Sequence, residues 1–76
     1  MTEKHKWSVD DDKAALRAYL DKLSKKEADT IAERLGISPS SFWMRVRNFN
    51  FLDTGSGLPN YADQSRRVWE DYKRKI

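Results

Sequence analysis

The sequence predicts an all-α fold of four short helices with a central helix-turn-helix. Serine followed three residues later by an acid, the capping-box pattern that opens helices, occurs twice. Apolar residues recur at spacings of three and four, which is the helical period. Glycine and proline stand where helices would end and begin. A chain of 76 residues has room for one domain. We therefore predict a single helix-turn-helix-type domain over 1–76, with helices at about 9–23, 25–35, 39–49 and 61–74.

The first predicted helix opens at Ser8, which forms a capping box with Asp11. The acids Asp10–Asp12 suit the positive end of a helix dipole, which explains them more simply than a metal site does. Trp7, just before the cap, is expected to fold back onto this helix as a hydrophobic staple. One apolar face is predicted from Leu16, Tyr19, Leu20 and Leu23.

The second and third predicted helices are separated by a short turn. Ser24 and Glu27 form the second capping box, and Gly36 suits the left-handed conformation that ends a helix. Ser38 followed by Pro39 then marks the next helix start. The core stripe of the second helix is predicted to be Ala28, Ile31, Ala32 and Leu35.

The third predicted helix has an inner side formed by Phe42, Val46 and Phe49. We expect Met44 to be partly buried and Trp43 to be more exposed. The segment from Asp53 to Asn60 is predicted to be a loop, with Asn48 and Asn60 closing the loop or capping a helix. The last helix is expected to stack Tyr61, Ser65, Val68, Trp69 and Tyr72 along one side.

Composition excludes several classes of protein. There is no cysteine and a single histidine, so thiolate zinc sites and two-histidine metal clusters are absent. No nucleophile–base pair or phosphate-binding loop is visible, and we predict a non-enzymatic protein without a cofactor. At 36% charged residues the chain has no stretch for a membrane or a secretory signal, which predicts a cytoplasmic protein.

The charge is distributed unevenly. Residues 1–37 carry eight basic and eight acidic residues, whereas 38–76 carry seven basic and four acidic, which accounts for the net +3. No acid occurs between Ser38 and Leu52, where Arg45 and Arg47 lie. Such a basic half favours a polyanionic partner.

The segment from Ile31 to Val46 has the organisation of a helix-turn-helix. Ala32 is small where two helices would cross, Gly36 permits the turn, and Phe42 joins the second helix to the first. This arrangement projects the start of the third helix towards a DNA major groove. The alternative is a small bundle that turns at a glycine. The predicted DNA contacts are Ser40, Ser41, Trp43, Arg45 and Arg47, with Arg66 and Arg67 as phosphate clamps and a Lys4–Lys6 arm.

The chain also resembles the small helical domain at the N-terminus of many bacterial HNH endonucleases. The likeness covers nearly the whole chain. It lies in four places: Trp7-Ser8 with the Leu16-Tyr19-Leu20 patch, the Leu-Gly-x-Ser-Pro turn at 35–39, and the segments 48–53 and 57–70. The resemblance implies a DNA-recognition module, with the third-helix residues above on its recognition surface. The nuclease domain of that family has no counterpart in these 76 residues.

Two functions from different classes are therefore expected. The first is a non-enzymatic protein that binds double-stranded DNA through its third helix, as a small regulator of transcription or a stand-alone recognition module. The second is a phage or mobile-element adaptor or inhibitor that binds a protein through Trp43 and Met44, since aromatic residues dominate such interfaces. A homodimer through Trp69 and Tyr72 is a further alternative, because one small module makes few DNA contacts.

Overall fold

The computed structural model describes residues 6–75. Within that range the chain forms four α-helices and no strand, which confirms the all-α prediction. None of these helices combines the length and the apolar character needed to cross a bilayer. The helices are α1 (Val9–Leu20), α2 (Lys25–Leu35), α3 (Pro39–Thr54) and α4 (Asp63–Arg74).

Helix α1 starts as predicted and ends earlier. The Asp11 N–H donates to Ser8 Oγ (3.1 Å), and the Ser8 N–H donates to Asp11 Oδ2 (3.0 Å). The helix ends at Leu20 and not at residue 23, because Lys22 takes a left-handed conformation with φ of 53°. The Leu23 N–H then bonds back to the Ala18 carbonyl (3.1 Å), which closes the helix end.

Helix α2 also begins with its predicted capping box, Ser24 and Glu27, and ends at Gly36 with φ of 75°. Ala32 is fully buried, and Ile37 in the following turn is 2% exposed. The predicted core stripe stops short of Leu35, which is 36% exposed. Three residues therefore connect α2 to α3, and the middle one is part of the core.

Helix α3 is the central element, since it packs against each of the other three helices. Phe42, Val46 and Phe49 are buried, as predicted. The helix runs on to Thr54, beyond the predicted end near Asn50, because the left-handed Gly55 (φ 79°) is what terminates it. The predicted loop therefore begins later than the polar sequence suggested.

Helix α4 begins at Asp63, later than the predicted residue 61. Its N-cap is Ala62, so Asn60 does not cap this helix. Tyr61 lies in the preceding loop, where its ring is 6.1 Å from that of Phe51 on α3. Ser65, Val68 and Trp69 form the buried side of α4.

The loop before α4 is tied to the middle of α3. The Asn48 side-chain amide donates to the Leu58 carbonyl (2.8 Å), and the Leu58 N–H donates to the Arg47 carbonyl (3.3 Å). Asn48 is 5% exposed, so the expectation that it closes the loop is confirmed. Gly57 makes this approach possible, because a Cβ there would lie 2.8 Å from the Arg47 carbonyl oxygen.

Replacement of Gly57 should therefore destabilise the folded protein. We expect Gly57→Ala to lower the free energy of unfolding by about 3 kcal/mol, from backbone strain at φ of 118° and steric overlap. Gly55→Ala is the matched control, since its φ is also positive but its surroundings are open, and it should cost about 1 kcal/mol. Urea unfolding measures both, and equal losses would contradict the close approach.

Candidate functional site

Helix α3 divides its polar residues between two sides. Arg45 lies on the same side as the buried Phe42 and Phe49, at helical spacings of three and four from them. Only 13% of its side chain is exposed. Its Nη1 donates to Asp12 Oδ1 (2.8 Å) and to Ser65 Oγ, and its guanidinium carbon lies 4.0 Å from the centre of the Trp7 ring. This arginine therefore belongs to the interior.

The partner of Arg45 is a fully buried carboxylate. Asp12 on α1 has no exposed surface, and its Oδ1 also accepts a hydrogen bond from Ser65 Oγ (2.8 Å). Its Oδ2 accepts from Gln64 Nε2 (2.6 Å), and the same amide donates to the Trp7 carbonyl (3.0 Å). A buried charge needs both a counter-ion and hydrogen bonds, and Asp12 has both. The Asp12–Arg45 network thus joins α1, α3 and α4.

The network corrects two sequence-based predictions. Arg45 was expected on the recognition surface, but its guanidinium is held between Asp12 and Trp7 and does not face solvent. Asp12 was expected only to compensate the helix dipole. The sequence does indicate the burial of Arg45, because a position three residues after Phe42 lies on the inner side of α3. Trp7 lies nearly parallel to Phe42, with ring centroids 6.4 Å apart, so it packs against α3.

Removal of Arg45 should be strongly destabilising, because it would leave Asp12 as an uncompensated buried charge. We expect Arg45→Ala to lower the free energy of unfolding by about 3–5 kcal/mol. The matched control is Arg47→Ala, two residues along the same helix and exposed, which should change it by less than about 0.5 kcal/mol. Urea unfolding followed by circular dichroism compares them, and coincident midpoints would contradict the role of the network.

The opposite side of α3 faces solvent. We call Ser40, Ser41, Trp43, Met44 and Arg47 the outer α3 face. Ser40 and Arg47 are exposed and Met44 is 50% exposed, whereas Ser41 is partly buried. Trp43 is half-buried against the core cluster. The expectation that Met44 is partly buried and Trp43 more exposed is therefore wrong: Trp43 lies beside Ala18 and Tyr19 of α1, and Met44 is the more exposed of the two.

The other predicted DNA contacts lie elsewhere. Arg66 and Arg67 are exposed on α4, and Arg66 Nε lies 3.7 Å from Glu70 Oε1. Lys6 is exposed before α1, and Lys4 lies outside the described residues. Across residues 6–75, no ion pair involves Arg47 or Arg67. The structure thus places the residues of the outer α3 face on one helix, whereas Arg66 and Arg67 lie on another, α4.

A groove adjoins the outer α3 face. It has a volume of about 300 Å³ and lies between the C-terminal part of α1, the following turn and α3. Trp43 and Arg47 contribute to it from α3, and Tyr19 and Lys22 from the other side. The sequence pattern predicts Trp43 and Arg47 as surface residues but gives no such signal for Tyr19 or Lys22. Tyr19 packs against the core cluster as predicted and also lines the groove, and only tertiary structure shows that Lys22 lines it as well.

One end of this groove holds a short hydrogen bond. The Tyr19 hydroxyl donates to Asp53 Oδ2 at 2.5 Å. Burial, together with the hydrogen bond to Asp53 and its negative charge, raises the pKa of Tyr19 from 10.0 to about 12. The bond therefore links α1 to the last turn of α3.

The raised pKa of Tyr19 should make stability depend on alkaline pH. The unfolded chain loses this proton near pH 10 and the folded protein near pH 12, so the stabilisation is full below pH 10 and is lost between about 10 and 12. The absorbance of tyrosinate, taken as wild type minus Tyr19→Phe, should titrate near 12. Asp53→Asn should lower the midpoint, and a midpoint near 10 in the wild type would contradict the bond.

No metal centre accompanies these features in the described part of the chain. Across residues 6–75, no three His, Cys, Asp or Glu side chains lie close enough together to hold a metal ion. Over the residues described, the chain is a small four-helix domain whose outer α3 face lies in a segment without acids, from Ser38 to Leu52. No family model, curated protein or solved structure matches the chain.

Proposed function

We propose that this protein is a non-enzymatic DNA-binding domain in which α2 and α3 act as a helix-turn-helix. The outer α3 face enters the major groove of double-stranded DNA. The observation that carries the proposal is that this face combines hydroxyl groups, Met44 and the exposed Arg47 on a segment without acids. A major groove admits a helix with such side chains, since arginine recognises guanine or phosphate and apolar groups contact the thymine methyl.

The connection between α2 and α3 supports this proposal. The left-handed Gly36 ends α2 and allows α3 to begin three residues later, and the buried Ile37 packs the connection into the core. Ser38 makes no side-chain cap bond at the start of α3. The first backbone N–H groups of a helix have no partner within it, and they are well suited to contact a phosphate.

The proposed contact set is smaller than the sequence suggested. Arg47 is its central cation, Ser40 and Ser41 contact phosphates, and Trp43 and Met44 supply apolar contacts. Arg66, Arg67 and Lys6 are flanking phosphate contacts, whose exposure is compatible with that role. Arg45 is left out because its guanidinium is engaged with Asp12.

A duplex-binding titration tests the proposal. We expect the anisotropy of a labelled mixed-sequence duplex to report binding that weakens with salt, with a slope equivalent to about 4–6 phosphate contacts. Arg47→Ala should weaken binding by about tenfold or more, since a good arginine–base contact contributes about 1–3 kcal/mol. Lys13→Ala on α1 is the matched control, because it removes an equal charge from an exposed position and should bind like the wild type.

Two results would contradict the proposal: no binding at low salt, or equal affinities for Arg47→Ala and wild type.

The second candidate function is a protein-binding adaptor or inhibitor, which the 50% exposure of Met44 and its position beside Trp43 favour. An interface centred on these side chains would depend weakly on salt, whereas duplex binding depends on it steeply.

A further inference from the structure

We propose that the groove between α1 and α3 holds one unpaired nucleotide of a DNA strand, so that the protein favours DNA with an unpaired extension beside a duplex. This inference rests on the proposed function and adds a second site to the outer α3 face. The juxtaposition that carries it is an apolar, aromatic-walled groove bordered by two exposed cations, Lys22 and Arg47.

The interior of the groove suits a flat aromatic base. Its lining includes the apolar side chains of Ala18, Leu23 and Val46, of which Ala18 and Val46 are buried, and the partly buried rings of Trp43 and Tyr19. The volume of about 300 Å³ is at the small end of the range for ligand sites, which fits one base better than a longer segment. Nucleic-acid bases stack on such aromatic side chains regardless of their sequence.

The border of the groove suits the phosphates on either side of that base. Lys22 and Arg47 are exposed, and across residues 6–75 neither forms an ion pair. Asn50 adds an amide. The Asp53 carboxylate accepts a hydrogen bond from the Tyr19 hydroxyl at 2.5 Å, whereas Lys22 and Arg47 themselves line the groove.

Lys22 is placed by an unusual backbone. Its φ of 53° lies in the left-handed region, which non-glycine residues adopt infrequently. The conformation closes α1 through the bond from the Leu23 N–H to the Ala18 carbonyl. Lys22 therefore lines the groove from a turn whose backbone is held by a hydrogen bond.

A duplex alone would leave this groove unused. Bases within a duplex are already stacked, and a phosphodiester backbone gains nothing from an apolar, aromatic interior. An unpaired nucleotide offers both an exposed ring face and charged phosphates. Its base can enter the groove while the adjoining duplex contacts the outer α3 face, because Arg47 belongs to both surfaces.

The test compares two fluorescein-labelled DNAs that differ only by a short unpaired thymidine extension on the duplex. We expect the extension to tighten binding by at least about fivefold, which is the lower end of what stacking one base contributes. Trp43→Leu and Lys22→Asn should each abolish most of that gain, and asparagine is chosen because it tolerates a positive φ. Lys13→Asn is the matched control for charge and should retain the gain.

The outcomes separate the two proposals. Equal affinity for both DNAs overturns the groove site while leaving duplex binding standing, and so does a gain that survives Lys22→Asn and Trp43→Leu. Binding to an oligothymidylate with none to the duplex supports the groove and overturns the major-groove proposal. If a glutamate-rich peptide displaces the oligothymidylate with comparable affinity, the groove is a general site for acidic chains and the nucleotide assignment fails. Circular dichroism confirms that each variant is folded.

Discussion

The buried pair of Asp12 and Arg45 is the interaction on which the rest of this structure depends. A carboxylate with no exposed surface is stable only when a counter-ion balances its charge and hydrogen-bond donors occupy its lone pairs. Arg45 on α3 and Ser65 and Gln64 on α4 provide these partners for Asp12. The network fixes how α1 and α4 sit on α3. It also fixes the rotation of α3 about its axis and so determines which of its side chains reach solvent.

The separation of Arg45 from Arg47 follows from that rotation. The two arginines are two positions apart, so they point to different sides of the helix. One neutralises a buried acid and the other borders both the outer α3 face and the groove. A basic sequence segment is therefore not equivalent to a basic surface. The groove exists because Lys22 ends α1 early and brings the turn against α3.

Much of the fold could be predicted because its signals are local. Both capping boxes, the left-handed Gly36 and the inner side of α3 are set by residues close in sequence. The end of α1 could not be predicted, since nothing in the sequence marks Lys22 as left-handed, whereas Gly55 is a local signal for the end of α3. The Asp12–Arg45 pair spans 33 residues, and such a contact is decided by tertiary packing. Among the residues predicted on the exposed side of α3, Arg45 lies instead in the interior, and the groove beside α3 was not predicted.

We propose that α3 presents one side to the core and the other to DNA. Amide chemical-shift mapping by NMR with a mixed-sequence duplex tests this claim most directly. We predict that the shift changes concentrate on the outer α3 face, at Ser40, Met44 and Arg47, while the amides of Asp12 and Ser65 stay unchanged. Shift changes confined to α4, or no shift changes with the duplex in large excess, would contradict it.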